Sequence, residues 1–198
     1  IKCMCLFTWE KKEKKIWENE SKMMNIYARA DFQTTKGEQV MMKVGISPVS
    51  MEGACANLRA EMPDWDFDGT VAQAQRLWND ELGRIRIKTS DPDVRKIFYT
   101  ALYHTMIAPS IFCDTDGAYR GADGMTHENP GYNTHTTYSL WDTYRAAMPL
   151  YSIFQTERYT DMLQTMLAIC DEQGKLPVWH LHGCETNCMV GNPCIIPM

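Results

Sequence analysis

The spacing of apolar residues divides the chain into a β-rich beginning and a longer α-rich part. Two β-rich runs, at 26–32 and 39–46, flank a glycine-containing turn and predict an antiparallel pair of strands. From Met51 onward, apolar residues recur at every third or fourth position, which is typical of helices with one buried face. This periodicity predicts five helices, in the segments 51–62, 70–82, 90–106, 139–154 and 159–173.

Capping and helix-breaking residues set the boundaries of these helices. Ser90 is the expected N-cap of the third helix, because Pro92 and Asp93 follow it at positions that a helix start favours. Pro149 is expected to kink or split the fourth helix, because proline lacks the backbone donor that a helix interior needs. Gly174 ends the fifth helix, as glycine commonly does just after the last helical residue.

Composition indicates a globular protein and argues against two classes of partner. Of the 198 residues, 44% are hydrophobic and 23% are charged, and 20 basic against 25 acidic side chains give a formal net charge of −5. That balance lacks the excess of positive charge that is typical of proteins that bind nucleic acid. No apolar run reaches the roughly 18 residues of a transmembrane helix. No signal-peptide pattern occurs in this segment. The eight cysteines lack a framework spacing, so their disulfide pairing stays open.

The long segment 110–138 is rich in Asp-Gly turns. It contains Asp114, Asp116, Tyr119, Arg120 and a second Asp-Gly pair at 123–124. Turn chemistry accounts for the pattern, because aspartate side chains bond to their own backbone in such turns. The same carboxylates, together with the tyrosine and the arginine, also suit hydrogen bonding to a hydroxyl-rich ligand. Both interpretations stay open at this point.

An acidic run before the second helix resembles the start of a calcium-binding loop. Asp64, Asp66 and Asp68 occupy alternate positions, but Gln75 stands where an EF-hand loop needs a bidentate carboxylate. We therefore interpret the run as a helix N-terminus, with Asp68 as the expected cap.

Trp141 and Asp142 follow a polar loop at the predicted start of a helix. An indole ring can cover the apolar face of a pyranose while a carboxylate accepts hydrogen bonds from its hydroxyl groups. The structural alternative is a core tryptophan beside a first-turn acid that the helix dipole favours.

His180, His182 and Glu185 suggest a metal site of low specificity. Histidines two residues apart project to the same side of an extended strand, as zinc ligands sometimes do. However, the spacing matches no recognised zinc motif. A zinc-dependent hydrolase that uses these three residues is therefore only a weak alternative.

Several longer motifs together resemble the family-92 glycoside hydrolases. Upstream, KVGIS at 43–47, NL at 57–58 and WDFD at 65–68 are similar to that family. The most specific motifs are IFYTALYHT at 97–105, DGAYRG at 116–121, SLWDTYRAA at 139–147 and QGKLPVW at 173–179. The resemblance extends from about residue 26 to residue 193.

The resemblance implies a mixed, multi-domain fold. Family members have an N-terminal β-sandwich and a C-terminal (α/α)6 barrel that are joined by helices. Residues 1–48 are then expected to be the end of the sandwich, 49–88 a helical connector, and 89–198 the first part of the catalytic barrel. The chain is accordingly expected to be an N-terminal and central fragment of a longer protein.

The resemblance also implies a function. The family consists of exo-acting, inverting α-mannosidases that require calcium, so we expect hydrolysis of terminal α-mannose from N-glycans or mannan. We expect the intact protein to be secreted, periplasmic or on the cell surface. A non-catalytic carbohydrate-binding protein of the same fold is the alternative.

The resemblance assigns roles to few residues of this chain. Inverting hydrolysis needs a general acid and a general base, but the family motifs for both, and for the calcium ligands, do not occur here. We expect these motifs beyond Met198 and expect the chain alone to be inactive. Trp141 and Asp142 match the family's mannose-binding pair. Glu185 is expected either to face the sugar or to hold the loop 174–194 in shape.

Overall fold

The computed structural model describes residues 33–198 in full and three backbone segments before them. These segments are the strands β1 (Lys2–Cys3), β2 (Lys12–Lys15) and β3 (Lys22–Asn25). The described parts of the chain divide into a unit within residues 1–44 and a unit formed by residues 45–198.

The first unit contains two small pairs of strands. β2 and β3 pair antiparallel, with Lys12 opposite Asn25. β1 pairs in parallel with β4 (Met41–Met42). The expected strand at 26–32 lies outside the described residues. Within the other expected strand, 39–46, only β4 is extended and paired, so that segment forms much less sheet than its composition predicts.

The second unit begins with three helices, and three further helices follow residue 139. Their bounds are α1 (Met51–Glu61), α2 (Phe67–Leu82), α3 (Pro92–Thr105), α4 (Leu140–Thr143), α5 (Ala147–Phe154) and α6 (Thr156–Gln173), with a 3-10 turn at Pro193–Ile195. The five predicted helical segments are all present, and the fourth is divided into α4 and α5.

The caps of α2 and α3 differ from the sequence expectation. Asp66, not Asp68, caps α2, because its carboxylate accepts the backbone N–H of Gly69 at 2.8 Å. Asp91, not Ser90, caps α3. Proline is favoured at the first helical position, so α3 begins at Pro92 and the preceding aspartate becomes the capping residue.

The division between α4 and α5 does not occur at Pro149. The helix is interrupted between Thr143 and Ala147, and Pro149 lies in the first turn of α5. Backbone N–H groups of a first turn have no partner within the helix, so proline fits there without loss of a hydrogen bond.

Seven short strands lie in the loops on either side of α4 to α6. They are β5 (Ser110–Ile111), β6 (Tyr119–Arg120), β7 (Thr126–His127), β8 (His135–Thr136), β9 (Tyr138–Ser139), β10 (Trp179–Leu181) and β11 (Cys184–Glu185). β5 pairs with β8 and β6 with β7, all antiparallel. β9, β10 and β11 form an antiparallel sheet with β10 in the centre. This sheet brings residues near 139 and 185 to one part of the fold.

The core of the second unit lies between α5, α6 and the sheet β9–β10–β11. Leu140, Met148 and Met166 are fully buried there. Leu167, the residue of α6 that follows Met166, is 51% exposed. Among the described residues, no helix is long and apolar enough to cross a membrane. The six cysteines from Cys55 onward are free thiols.

Candidate functional site

Asp142 lies at the start of α4, directly after β9. Its carboxylate is exposed and accepts a hydrogen bond from the hydroxyl of Ser139, the last residue of β9. The side chain therefore faces solvent while one of its oxygens is held by the strand that precedes the helix. That arrangement leaves acceptor positions for a ligand, because an ionised carboxylate can accept about four hydrogen bonds.

Trp141 is not a core residue. The residue is 39% exposed within the described part of the chain, which favours an accessible indole. The guanidinium carbon of Arg145 lies 6.0 Å from the centre of the Trp141 ring and 4.5 Å from that of Tyr144. Arginine over an aromatic face is an attractive contact. The indole therefore has an accessible surface next to Asp142 and a cation that helps to orient it.

Glu185 is occupied by backbone donors. Its carboxylate accepts the N–H groups of Val178 at 2.8 Å, Trp179 at 3.1 Å and Asn187 at 3.1 Å. Hydrogen bonds from backbone amides to a carboxylate are strong because the acceptor is charged. Of the two roles expected for Glu185, these contacts favour holding the loop 174–194 in shape.

The sheet β9–β10–β11 connects Asp142 and Glu185 through Trp179. Trp179 pairs with Ser139 across β9 and β10, and its N–H donates to Glu185. Its indole N–H is buried and has no hydrogen-bond partner. Trp179 belongs to the motif LPVW, but the motif by itself does not indicate that Trp179 lies near the site. The structure adds it to the neighbourhood of the candidate site.

The loop 110–138 uses its polar groups internally. Asp114 is buried and accepts hydrogen bonds from Ser47 and Asn57. Asp116 accepts the N–H of Ala118 at 3.0 Å, and Asp123 accepts that of Met125 at 2.8 Å. These contacts support the turn-chemistry interpretation.

A second polar cluster joins this loop to α6. The hydroxyl of Tyr119 donates to Glu172 at 2.7 Å, and the imidazole of His127 lies 3.0 Å from Asp123. Burial raises the pKa of Tyr119, and the hydrogen bond to Glu172 raises it further. The backbone N–H of Met125 and the contact with His127 lower the pKa of Asp123. Glu172 carries no sequence motif, so only the fold reveals its place in the cluster.

The expected zinc ligands are not brought together. His180 is buried in β10, whereas His182 is exposed and has a left-handed backbone with φ of 49°. The left-handed residue breaks the extended alternation that would direct both rings to one side. Glu185 is already bonded to backbone amides. Within residues 33–198, the only group of His, Cys, Asp and Glu side chains close enough together to share a metal ion does not include these three residues. The zinc hydrolase built on these three residues is therefore wrong.

Calcium does not fit the cluster that does exist. That cluster consists of Asp123, His127 and Glu172. Calcium takes six to eight oxygen ligands, whereas this cluster supplies an imidazole nitrogen and only two carboxylates. The ligand set of this cluster therefore does not suit calcium.

The model of the glycosyl hydrolase family 92 catalytic domain matches residues 53–197. The chain belongs to glycosyl hydrolase family 92. This finding confirms the resemblance drawn from the sequence motifs and makes the protein part of a glycosidase family.

Solved family 92 enzymes share this fold. The α-mannosidase BT3965 from Bacteroides thetaiotaomicron is 39% identical, with a TM-score of 0.70 over 73% of this chain and 20% of that one. The inverting mannosidase BT2199 from the same species is 28% identical, with a TM-score of 0.70 over 75% of this chain and 20% of that one. BT3965 has also been solved in complex with mannoimidazole.

A curated relative is described as an uncharacterized secreted glycosidase of Arthroderma benhamiae. It is 27% identical over 151 residues, which are 74% of this chain and 15% of the relative. The chain thus spans a fifth or less of the length of these relatives.

Proposed function

We propose that this chain is part of an exo-acting, inverting α-mannosidase that removes terminal α-mannose from N-glycans or mannan. The observation that carries the proposal is the exposed pair Trp141 and Asp142 at the start of α4, in a chain that belongs to family 92. Two solved relatives are named as mannosidases, and one of them binds mannoimidazole. These relatives support mannose-containing glycans as the substrate class.

The proposal includes a domain arrangement. Residues 1–48 form the end of an N-terminal β-sandwich, residues 49–88 a helical connector, and residues 89–198 the first part of an (α/α)6 catalytic barrel. The small paired strands before residue 44 and the six helices after residue 50 are compatible with this division. The description of the relative from Arthroderma benhamiae supports a secreted or cell-surface location.

In this mechanism the residues of the segment bind and orient the sugar. Asp142 accepts hydrogen bonds from mannose hydroxyl groups, and Ser139 fixes the rotamer of Asp142. Trp141 lies against the apolar face of the ring, while Glu185 positions the neighbouring loop. The general acid and the general base, about 6.5–9.5 Å apart in inverting glycosidases, lie beyond Met198. Calcium and its ligands also belong to that part of the protein, where the ion would orient substrate and stabilise developing charge.

Changing Asp142 to asparagine in the full-length enzyme is expected to lower kcat/KM roughly 10- to 200-fold. A hydrogen bond to a charged group contributes about 1.5–3 kcal/mol, and each 1.4 kcal/mol changes a rate about tenfold. The measurement is steady-state hydrolysis of an aryl α-mannoside, combined with thermal unfolding of each variant.

The matched control for this experiment is Asp80→Asn, because Asp80 is an exposed aspartate within α2. It is expected to keep wild-type kinetics. Unchanged kcat/KM in Asp142→Asn, or a loss explained by unfolding alone, would remove Asp142 from the substrate site. The family assignment of the chain would stand in either case.

The isolated chain of 198 residues is expected to release no 4-nitrophenol from 4-nitrophenyl α-mannoside. Without the acid and the base, the charge that develops at the leaving oxygen and the attacking water has no stabilising partner. The full-length enzyme, assayed in parallel with calcium present, is the positive control. Turnover by the isolated chain that survives repurification would place the catalytic groups within residues 1–198.

A further inference from the structure

The cluster of Asp123, His127 and Glu172 has a role that sugar binding leaves unexplained. Asp123 lies in the turn between β6 and β7, His127 is the last residue of β7, and Glu172 lies in the last turn of α6. Their ligand atoms all lie within 4.8 Å of one another. The cluster is therefore the point at which the hairpin meets the helix.

The distances within the cluster suit a small divalent ion. Zinc binds nitrogen and oxygen ligands at about 2.0–2.2 Å, so two ligands of one zinc ion lie at most about 4.2 Å apart and about 3.3 Å apart in a tetrahedral site. Nε2 of His127 is 3.0 Å from Asp123 and 3.9 Å from Glu172. Both separations lie below the limit of about 4.2 Å. The carboxylates of Asp123 and Glu172 lie within 4.8 Å of each other, so a shared ion requires at most a small closing movement of one side chain.

The local charge also calls for a cation. The last turn of α6 carries Asp171 and Glu172 but no basic residue, although the carboxyl end of a helix disfavours negative charge. The side chain of Glu172 is only 9% exposed, so water screens its charge poorly. Glu172 accepts hydrogen bonds from the hydroxyl of Tyr119 at 2.7 Å and from the backbone N–H of Ala122 at 2.6 Å, and a divalent ion would balance the negative charge that these neutral donors leave.

The exposure of the cluster to solvent and the chemical type of its ligand atoms indicate which class of ion it would bind. The side chains of His127 and Asp123 are 33% and 29% exposed, so an ion can enter from solvent and retain a water ligand. Gly121 allows the imidazole and the carboxylate to approach the turn, because a Cβ there would lie 2.6 Å from Nε2 of His127. One imidazole and two carboxylates suit zinc and similar transition metals rather than calcium.

We propose that Asp123, His127 and Glu172 bind one divalent transition-metal ion of the zinc class. The bound ion clamps the β6–β7 hairpin to the end of α6. This site is separate from Trp141 and Asp142 and does not depend on the proposed mannosidase activity.

Titration of the metal-stripped chain with Zn²⁺ and Co²⁺ at neutral pH tests the site. We expect one ion per chain, a raised Tm with Zn²⁺, and a Co²⁺ spectrum of nitrogen and oxygen ligands. His127→Gln and Asp123→Asn should each weaken binding at least about tenfold, since even indirect partners of a metal contribute 10- to 100-fold. His104→Gln, which alters an exposed histidine on α3, is the control and should bind as the wild type does.

The Co²⁺ spectrum separates this site from the exposed thiols of Cys184 and Cys188. A thiolate charge-transfer band, or equal binding by wild type and His127→Gln, would overturn the proposal. Absence of stoichiometric binding to the wild type would overturn it as well. Asp123→Asn keeps the shape of an exposed side chain, so its result stands if His127→Gln fails to fold.

Discussion

Replacing Asn57 by alanine is expected to destabilise the unit of residues 45–198 by about 1–3 kcal/mol. Asn57 is 8% exposed, and its side-chain amide donates to the carbonyl of Ile46 and to the carboxylate of Asp114. Its carbonyl accepts the N–H of Thr115 at 2.8 Å. Alanine would leave one buried oxygen of Asp114 without its donor, while Ser47 still donates to the other oxygen. A buried polar group without a partner costs about 1–3 kcal/mol.

Asn129→Ala provides a matched comparison. Asn129 also makes two side-chain hydrogen bonds, to the backbone of Asp116 and Gly131, but it is exposed. Water replaces those bonds in the variant, so the expected loss is below about 1 kcal/mol. Urea unfolding of both variants gives the two free energies of unfolding. Equal losses would show that the Asn57 network contributes no more than a surface turn.

The stability of the same unit is expected to decrease as the pH falls from about 6.5 to about 4. His135 is 2% exposed, and burial lowers its pKa to about 4, with a further contribution from the positive charge of Arg158. His180 is also buried, and burial lowers its pKa in the same direction. Its two ring nitrogens have no hydrogen-bond partner.

The sign follows from proton binding. Between the two pKa values the unfolded chain binds the proton and the folded chain does not, so stability rises with pH across this window. A histidine with a folded pKa of about 4 and an unfolded pKa near 6.5 accounts for about 3 kcal/mol over that window. Stability from this group is complete above the unfolded pKa and does not decrease further below the folded one.

Denaturant unfolding at a series of pH values measures this effect. His135→Gln should give a shallower dependence between pH 6.5 and 4, whereas the exposed His104→Gln should follow the wild type. The slope is compared within each variant, so a constant loss of stability in His135→Gln does not obscure the result. An unchanged slope in that variant would show that His135 is solvated when protonated.

Helices were predictable from sequence because their signals are local. Apolar periodicity identified α1, α3 and α6, and the observed bounds differ from the predicted ones only near the ends. The caps were harder to predict, because Asp66 and Asp91 compete with neighbouring residues of similar capping ability. The strands of the loops were not predictable, since strands of two or three residues are too short to show alternation.

Residues of the candidate site could be predicted from the sequence only where they belong to a recognisable motif. Trp141 and Asp142 were found from their motif, and their exposure agrees with a binding role. For Glu185 the sequence left two roles open, because backbone amides that bond to a side chain leave no signature in residue types. Glu172 was missed entirely, since an acidic residue near the end of a helix is typical of a solvated surface.

The hydrogen bonds of Asp114 limit how the protein can be divided experimentally. Ser47 and Asn57 bond to this carboxylate at 2.7 Å and 2.8 Å, so residues before α2 complete a loop that follows α3. A shortened protein that starts at residue 89 would keep Asp114 and lose both donors. Chimeras between family 92 enzymes that exchange α1 and α2 alone would separate Asn57 from Asp114. Crossover points for such recombination therefore belong before Ser47, so that each parent supplies the donors together with their acceptor.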